Sequence, residues 1–349
     1  MKPSKSRTTP NARSFLEKQD FCTHHSLPQD AASWVRSKVV VTGVGLLTPL
    51  GATAKESVQA WRNGQSAKRS PLKELEDTPL EDIGVAILPE FNTIERLGSR
   101  RMLKYMSDAA VLGCLAAREA LEDADAKTRF SPERIGLYAA TGLASANIHE
   151  VQTMVEESID ENGQFSCNRL GKRGLPATNP LLSFKILANM PPCLISIMEC
   201  IKGPNFIFSP WEGQTSAALL EAWRAVATGE VDCALAGAAD SAAHPATFVY
   251  LFQAGLLKKG EYPASGSAYL VFESLETAKK DGKHIYTQIE NMRLTPSDGG
   301  ISDPLSERMG RTFAAAPALL LGLKSMDGEG TLSICGVDQQ KLEVDLNAL

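Results

Sequence analysis

One stretch of this chain constrains its fold more than any other. Residues 203–229 read GPNFIFSPWEGQTSAALLEAWRAVATG and, after Glu230, run into VDCALAGAAD. The pattern predicts a buried strand over 206–208, a tight turn, a helix of small residues over 213–228 and a second buried strand over 231–239. A helix that starts where a strand ends exposes free N–H groups and a positive dipole end, a setting in which α/β enzymes hold anions and nucleophiles. Here Glu212 stands directly before that helix. Ser209, Pro210, Trp211 and Glu212 also fit the S-x-x-E capping box with proline at the first helical position, so Glu212 reads equally as a side chain that satisfies backbone donors.

The rest of the chain supports an α/β reading. Lys38 opens KVVVTGVGLLTPLG, a β-branched strand that meets a Gly-rich loop. Helical periodicity follows over 53–63 and 105–123, then a strand over 135–141 and a polar, turn-rich excursion over 143–180. A helix is expected from 184, interrupted by Pro191 and Pro192. A strand over 267–272 closes this part, and a shorter version of the pattern then begins. It comprises a strand over 284–293, an Ala- and Leu-rich helix over 311–324, and strands over 331–337 and 341–346. Three segments result: a disordered extension (1–37), an α/β half (38–280) and an abbreviated second half (281–349). Gly43 and Gly45 lack the third glycine of a dinucleotide loop.

Composition removes several function classes. Of 349 residues, 43% are apolar and 22% charged, as in a globular protein with a sizeable core. A net charge of −5 gives no support for nucleic-acid or anionic-membrane binding. No run reaches the roughly 18 apolar residues of a membrane helix, and the N-terminus has no secretory h-region. Seven cysteines at irregular spacing read as reduced thiols in a cytoplasmic protein. Cys193 and Cys200, nearest the 203–229 stretch, sit in apolar sequence and read as inert packing. Of the five histidines, His24 and His25 lie in the extension and the rest are isolated, so neither a metal site nor a cofactor is expected.

Six segments, in order, resemble the β-ketoacyl synthases: KVVVTGVGLLTPLG, RRMLKYMSDAAVLGCLAAREALEDA, IGLYAATGL, NMPPCLISIMECIKGPN, VDCALAGAADSAAHP and SAYLVFESLETAKKDGKHIYTQIENM. The resemblance implies a thiolase-like fold, two similar α/β halves stacked in five layers, here with the second half abbreviated. It also places Glu212 at the family's nucleophilic cysteine. SERMGRTFAAAP (306–317) matches the frame of K-S-x-x-G-H-T-x-x-A-A-G, putting Ser306 at the lysine and Arg311 at a histidine. The family's HGTGT-type block is absent, no histidine follows His284, and the closing Gly-rich loop has become ICGVD (334–338).

Condensation needs a thiolate to carry the acyl chain and donors over the malonyl carbonyl to stabilise the enolate. A carboxylate cannot do the first, and a permanently charged guanidinium cannot shuttle protons. The resemblance therefore implies a degenerate subunit of the chain-length-factor type in fatty-acid or polyketide synthesis, paired with an active ketosynthase and, through it, an acyl carrier protein. On that reading Glu212 mimics an anionic acyl group and closes the old pocket. Asn205, Phe206, Phe208 and Trp211 would line the interface or acyl tunnel, and Arg100, Arg101 and Lys104 would form a basic patch for the carrier protein. A malonyl-carrier decarboxylase and a homodimeric scaffold or relic are the alternatives. With covering helices missing, the second sheet is expected to expose an apolar face.

Overall fold

The computed structural model describes residues 36–143 and 147–349. The expected extension lies outside these residues up to position 35, as do Cys22, His24 and His25. Arg36 and Ser37 are placed, and both donate their backbone N–H to Ala227 O, at 2.7 and 3.2 Å.

Eight strands form one hydrogen-bonded network: β1 (Val39–Leu47), β2 (Ile135–Thr141), β3 (Asn205–Phe208), β4 (Cys233–Ser241), β5 (Ser265–Ser274), β6 (Thr287–Pro296), β7 (Gly330–Cys335) and β8 (Gln340–Asn347). Their order is β3-β2-β4-β5-β1-β6-β8-β7. The helices that set the layers are α1 (Ala54–Arg62), α2 (Asp108–Asp123), α3 (Ile148–Glu157), α4 (Met190–Glu199), α5 (Glu212–Thr228), α6 (Pro245–Gln253) and α7 (Ala316–Asp327). β2 pairs in parallel with β3 and β4, whereas β5 runs antiparallel between β4 and β1. β1 touches β6 only at Val39–Val41, so five strands and three strands meet at a narrow junction.

The order β1-β5-β4 in the first group recurs as β6-β8-β7 in the second. Each time a helix (α5 or α7) leads into the last strand of the triplet. α2 and α4 cover one face of the five-stranded group, and α5 and α7 cover the other. α5 also packs on β6 and β8, and α7 on β7, so both helices lie between the two strand groups. A helix in that place must bury most of its circumference. α5 does so with small residues such as Gly213, Ser216, Ala218 and Ala222, and α7 with the run Ala316–Leu323.

The glycines of β1 serve helix packing. A Cβ on Gly43 would lie 2.2 Å from Ala120 O, and one on Gly45 would lie 2.0 Å from Ala116 O. This close approach lets α2 cap the edge of β1 that β6 leaves free. Asp123 Oδ2 accepts from Val44 N (2.9 Å), and Glu119 Oε2 accepts from Leu46 N (3.1 Å).

Several expectations need correction. β3 is an exposed edge strand, with Phe206 47% and Ile207 39% exposed, because it ends the sheet and has β2 as its neighbour. Pro191 and Pro192 begin α4 instead of interrupting a helix; the first turn has no use for their missing N–H groups. Arg311 precedes α7 and pairs with Pro263 in an isolated bridge. The second strand group does not present an apolar outer face. Met292, Leu332, Leu342, Val344 and Leu346 point inward, while Arg293, Thr331, Lys341, Glu343 and Asp345 alternate with them on the other side. No helix among the described residues is long and apolar enough to cross a membrane.

Candidate functional site

α5 begins with Trp211 as its N-cap, in extended conformation and with no side-chain cap bond. Glu212 is therefore the first helical residue, not the third, and the capping-box reading fails. Its side chain, 1% exposed, turns away from its own helix toward the second half of the chain. Glu212 Oε1 accepts from Arg311 Nη2 at 2.7 Å, and Oε2 accepts from Val337 N at 3.2 Å. The first turn is capped from outside, by Asp338 Oδ1 on Gly213 N at 3.1 Å.

Arg311 is fully buried. Its backbone is fixed on both sides, donating N–H to Tyr262 O (2.8 Å) and accepting from Ala264 N (2.9 Å). Its guanidinium lies over the Phe313 ring at 4.6 Å. Besides Glu212 it meets Glu261 Oε2 at 3.5 Å and Asp303 Oδ2 at 3.3 Å. The last is a charge contact only, since neither Arg311 Nε nor Asp303 Oδ2 has a hydrogen-bond partner.

Three aspartates complete the cluster, and they share a pattern. Asp240 Oδ2 accepts from Ala314 N (3.1 Å), Asp303 Oδ1 from Leu305 N (2.9 Å) and Asp338 Oδ1 from Gly213 N (3.1 Å). The second oxygen of each is buried without a hydrogen-bond partner. Burial holds the carboxyls of Asp303 and Asp338 up at about 6, with the Glu212 charge adding to the effect at both. Burial raises Asp240 well above the usual range.

The structure thus joins Glu212 and Arg311, two of the positions singled out in the sequence. Ser306 stays apart, bonding Asp303 O within its own turn at 2.8 Å. Asn205 and Phe206 lie on the open edge of β3, with Phe206 stacked on Tyr138 at 5.4 Å between centroids. Phe208 packs on the core, and Trp211 rests against Phe313 at 6.3 Å. Arg100, Arg101 and Lys104 are exposed around the short turn Met102–Tyr105, and among the described residues none is in an ion pair.

Sequence reasoning missed Asp240, Glu261, Asp303 and Asp338. The one local signal was a lone acid ending the apolar run of β4 and another in ICGVD. Cys200 also differs from expectation: it is exposed at the left-handed C-cap of α4 (φ 57°), whereas buried Cys114 is pushed up to about 12 by burial. His244 accepts from Ala246 N through Nδ1 at the head of α6, and His284 packs edge-on to Tyr286. Among the described residues no group of His, Cys, Asp and Glu is arranged to hold a metal.

The family model "Beta-ketoacyl synthase, N-terminal domain" matches residues 36–268, and this chain belongs to the β-ketoacyl synthase family. It is 24% identical over 306 residues to 3-oxoacyl-[acyl-carrier-protein] synthase 2 of Synechocystis sp., covering 82% of this chain and 70% of that protein. It is 26% identical over 296 residues to synthase 1 of Haemophilus influenzae, covering 75% and 65%. The chain thus spans about two thirds of the length of these curated relatives. Among solved structures it resembles a type II polyketide ketosynthase in complex with its acyl-carrier protein (TM-score 0.72, 15% identity, 90% of this chain and 100% of that one). It also resembles the ishigamide ketosynthase/chain length factor (TM-score 0.69, 17% identity, 90% and 100%). These likenesses establish the thiolase-like fold.

Proposed function

We propose that this chain is a non-condensing ketosynthase-like subunit that pairs with an active ketosynthase, in the manner of a chain-length factor, in fatty-acid or polyketide synthesis in the cytoplasm. The observation that carries this reading is the Glu212–Arg311 pair at 2.7 Å. Where the family's pattern has a cysteine and a histidine, two charges neutralise each other. A carboxylate engaged by Arg311 and by Val337 N is no acyl carrier, and its guanidinium partner has no proton to give.

The open edge of β3 supports a partner. Phe206 and Ile207 are exposed beside unpaired backbone groups, which is the feature that strand-to-strand association removes from water. The exposed Arg100, Arg101 and Lys104 suit an acidic carrier protein held by the complex. The six described cysteines are all unpaired, in keeping with a reducing compartment. The decarboxylase reading is weaker, because among the described residues no imidazole lies in the Glu212–Arg311 cluster to stabilise an enolate.

Co-expression with the ketosynthases of the same genome, affinity purification and a malonyl-carrier condensation assay test the proposal. A stable heterodimer whose product length shifts when Phe208 or Trp211 becomes alanine is the expected result. A homodimer that ignores every ketosynthase would overturn it in favour of a scaffold. Carbon dioxide released from malonyl-carrier protein by the purified chain alone would restore the decarboxylase.

A further inference from the structure

The buried cluster joins the two halves of the chain. Glu212, Asp240 and Glu261 come from the part that ends with β5, and Asp303, Arg311 and Asp338 from the part that begins with β6. Contacts that cross between the parts include Glu212 to Arg311 and to Val337 N, Asp338 to Gly213 N, and Asp240 to Ala314 N. Three carboxyls, those of Glu212, Glu261 and Asp303, meet the one guanidinium, and Asp240 and Asp338 stand close enough to Glu212 to feel its charge. One positive charge cannot compensate this many buried negative ones, and one oxygen of each aspartate is buried without a hydrogen-bond partner. Closure of the cluster and full ionisation are incompatible.

We propose that this cluster is a proton-operated clamp between the halves, closed while Asp303 and Asp338 are neutral and released when they ionise and draw water in. The segments that move are 297–311, with one helical turn at Ser306–Met309, and 336–339, which carry Asp303, Arg311 and Asp338 outside the strands. The groups facing them are Glu212 at the head of α5, Asp240 at the end of β4 and Glu261 before β5. Linkage fixes the direction. A carboxyl held up at about 6 in the closed form regains its ordinary value near 4 on wetting, so opening releases protons and is favoured as pH rises. Between about pH 5 and 7 the open fraction rises roughly tenfold for each of Asp303 and Asp338, on the order of a hundredfold together. The inference is independent of any partner and stands whether or not the chain pairs with a ketosynthase.

Hydrogen exchange of the full chain, corrected for the intrinsic pH dependence of exchange, reads the open fraction directly. Wild type is expected to lose protection at Gly213, Ala314, Val337 and the 297–311 segment as pH rises from 5 to 7, while the β4–β5 amides stay unchanged. Asp303→Asn with Asp338→Asn is expected to keep protection and abolish the step. A flat wild-type profile, or a step that persists in the double variant, overturns the clamp. Should that variant not fold, carboxyl carbon NMR of the wild type decides. Aspartates titrating together with the exchange step support the clamp; aspartates at ordinary values overturn it.

Discussion

Glu212 and Arg311 lie 99 residues apart in the chain and meet at 2.7 Å, neither of them open to solvent. The pair ties the head of α5 to the second half of the chain. Removing one member leaves the other charged and buried, which costs far more than the pair itself contributes. Arg311→Met is therefore expected to destabilise the chain by about 3–5 kcal/mol. Glu212→Gln combined with Arg311→Met is expected to recover much of that loss. Urea unfolding of the single and double variants measures both, and equal losses in the two would refute the coupling.

Restoring the family's side chains is not expected to restore condensation. Glu212→Cys with Arg311→His supplies a thiol and an imidazole, yet Ser306, which the resemblance sets at the lysine, bonds only its own turn. Alkylation of the introduced thiol together with absent condensation is the expected outcome. Measurable β-ketoacyl product would show that two groups suffice.

Stability is expected to peak near pH 5 and to fall toward pH 8. Asp303 and Asp338, held up at about 6, and Glu119, held up at about 7 by burial, stabilise the fold fully below about pH 4. That contribution is lost as pH rises through 6 and 7. Asp125, Glu133, Asp160 and Glu343 are lowered, chiefly by hydrogen bonds or ionic partners, so their contribution is lost only as pH falls below about 4. Calorimetric Tm values across this range check the sign, and a Tm that climbs steadily to pH 8 would contradict it.

The β3 edge separates association from folding. Phe206→Glu should leave the monomer's Tm nearly unchanged, because the ring is half exposed and stacks only on Tyr138. It should abolish partner binding in sedimentation experiments. Binding that survives the change would place the interface elsewhere.

The strands of the second half should respond by face. Leu342→Ala removes a buried side chain and is expected to cost about 2–5 kcal/mol. Its neighbour Glu343 faces outward, bonded to Lys341 at 2.8 Å, and Glu343→Ala should cost no more than about 1 kcal/mol. Comparable losses in denaturation would mean that something covers the outer face.

Much of this was legible in the sequence, because strands and helices announce themselves locally. The β1 run and the Ala-rich helices α2, α5 and α7 required no tertiary knowledge. What failed was whatever depends on the neighbour. FIF at 206–208 looks the same in the middle of a sheet and at its edge, and only the strand order distinguishes them. The capping box at Ser209–Glu212 failed because Pro210 and Trp211 stay outside the helix. Arg311 was singled out by resemblance, whereas the acids around it come from segments that carry no shared motif. The polar outer face was in fact readable: KLEVDL alternates residue by residue, and that period outweighs any argument from missing helices.

That alternation has a consequence for how such a chain can change over generations. In a sheet buried on both sides every residue is constrained, and a covering layer cannot be discarded without exposing oil to water. Here β6, β7 and β8 divide their residues between two duties, one set anchoring α5 and α7, the other facing outward. A lineage can therefore shed an outermost layer by rewriting every second residue of three strands. The outward set is then free to drift, or to acquire a binding surface, without disturbing the charge pair on the far side of α5.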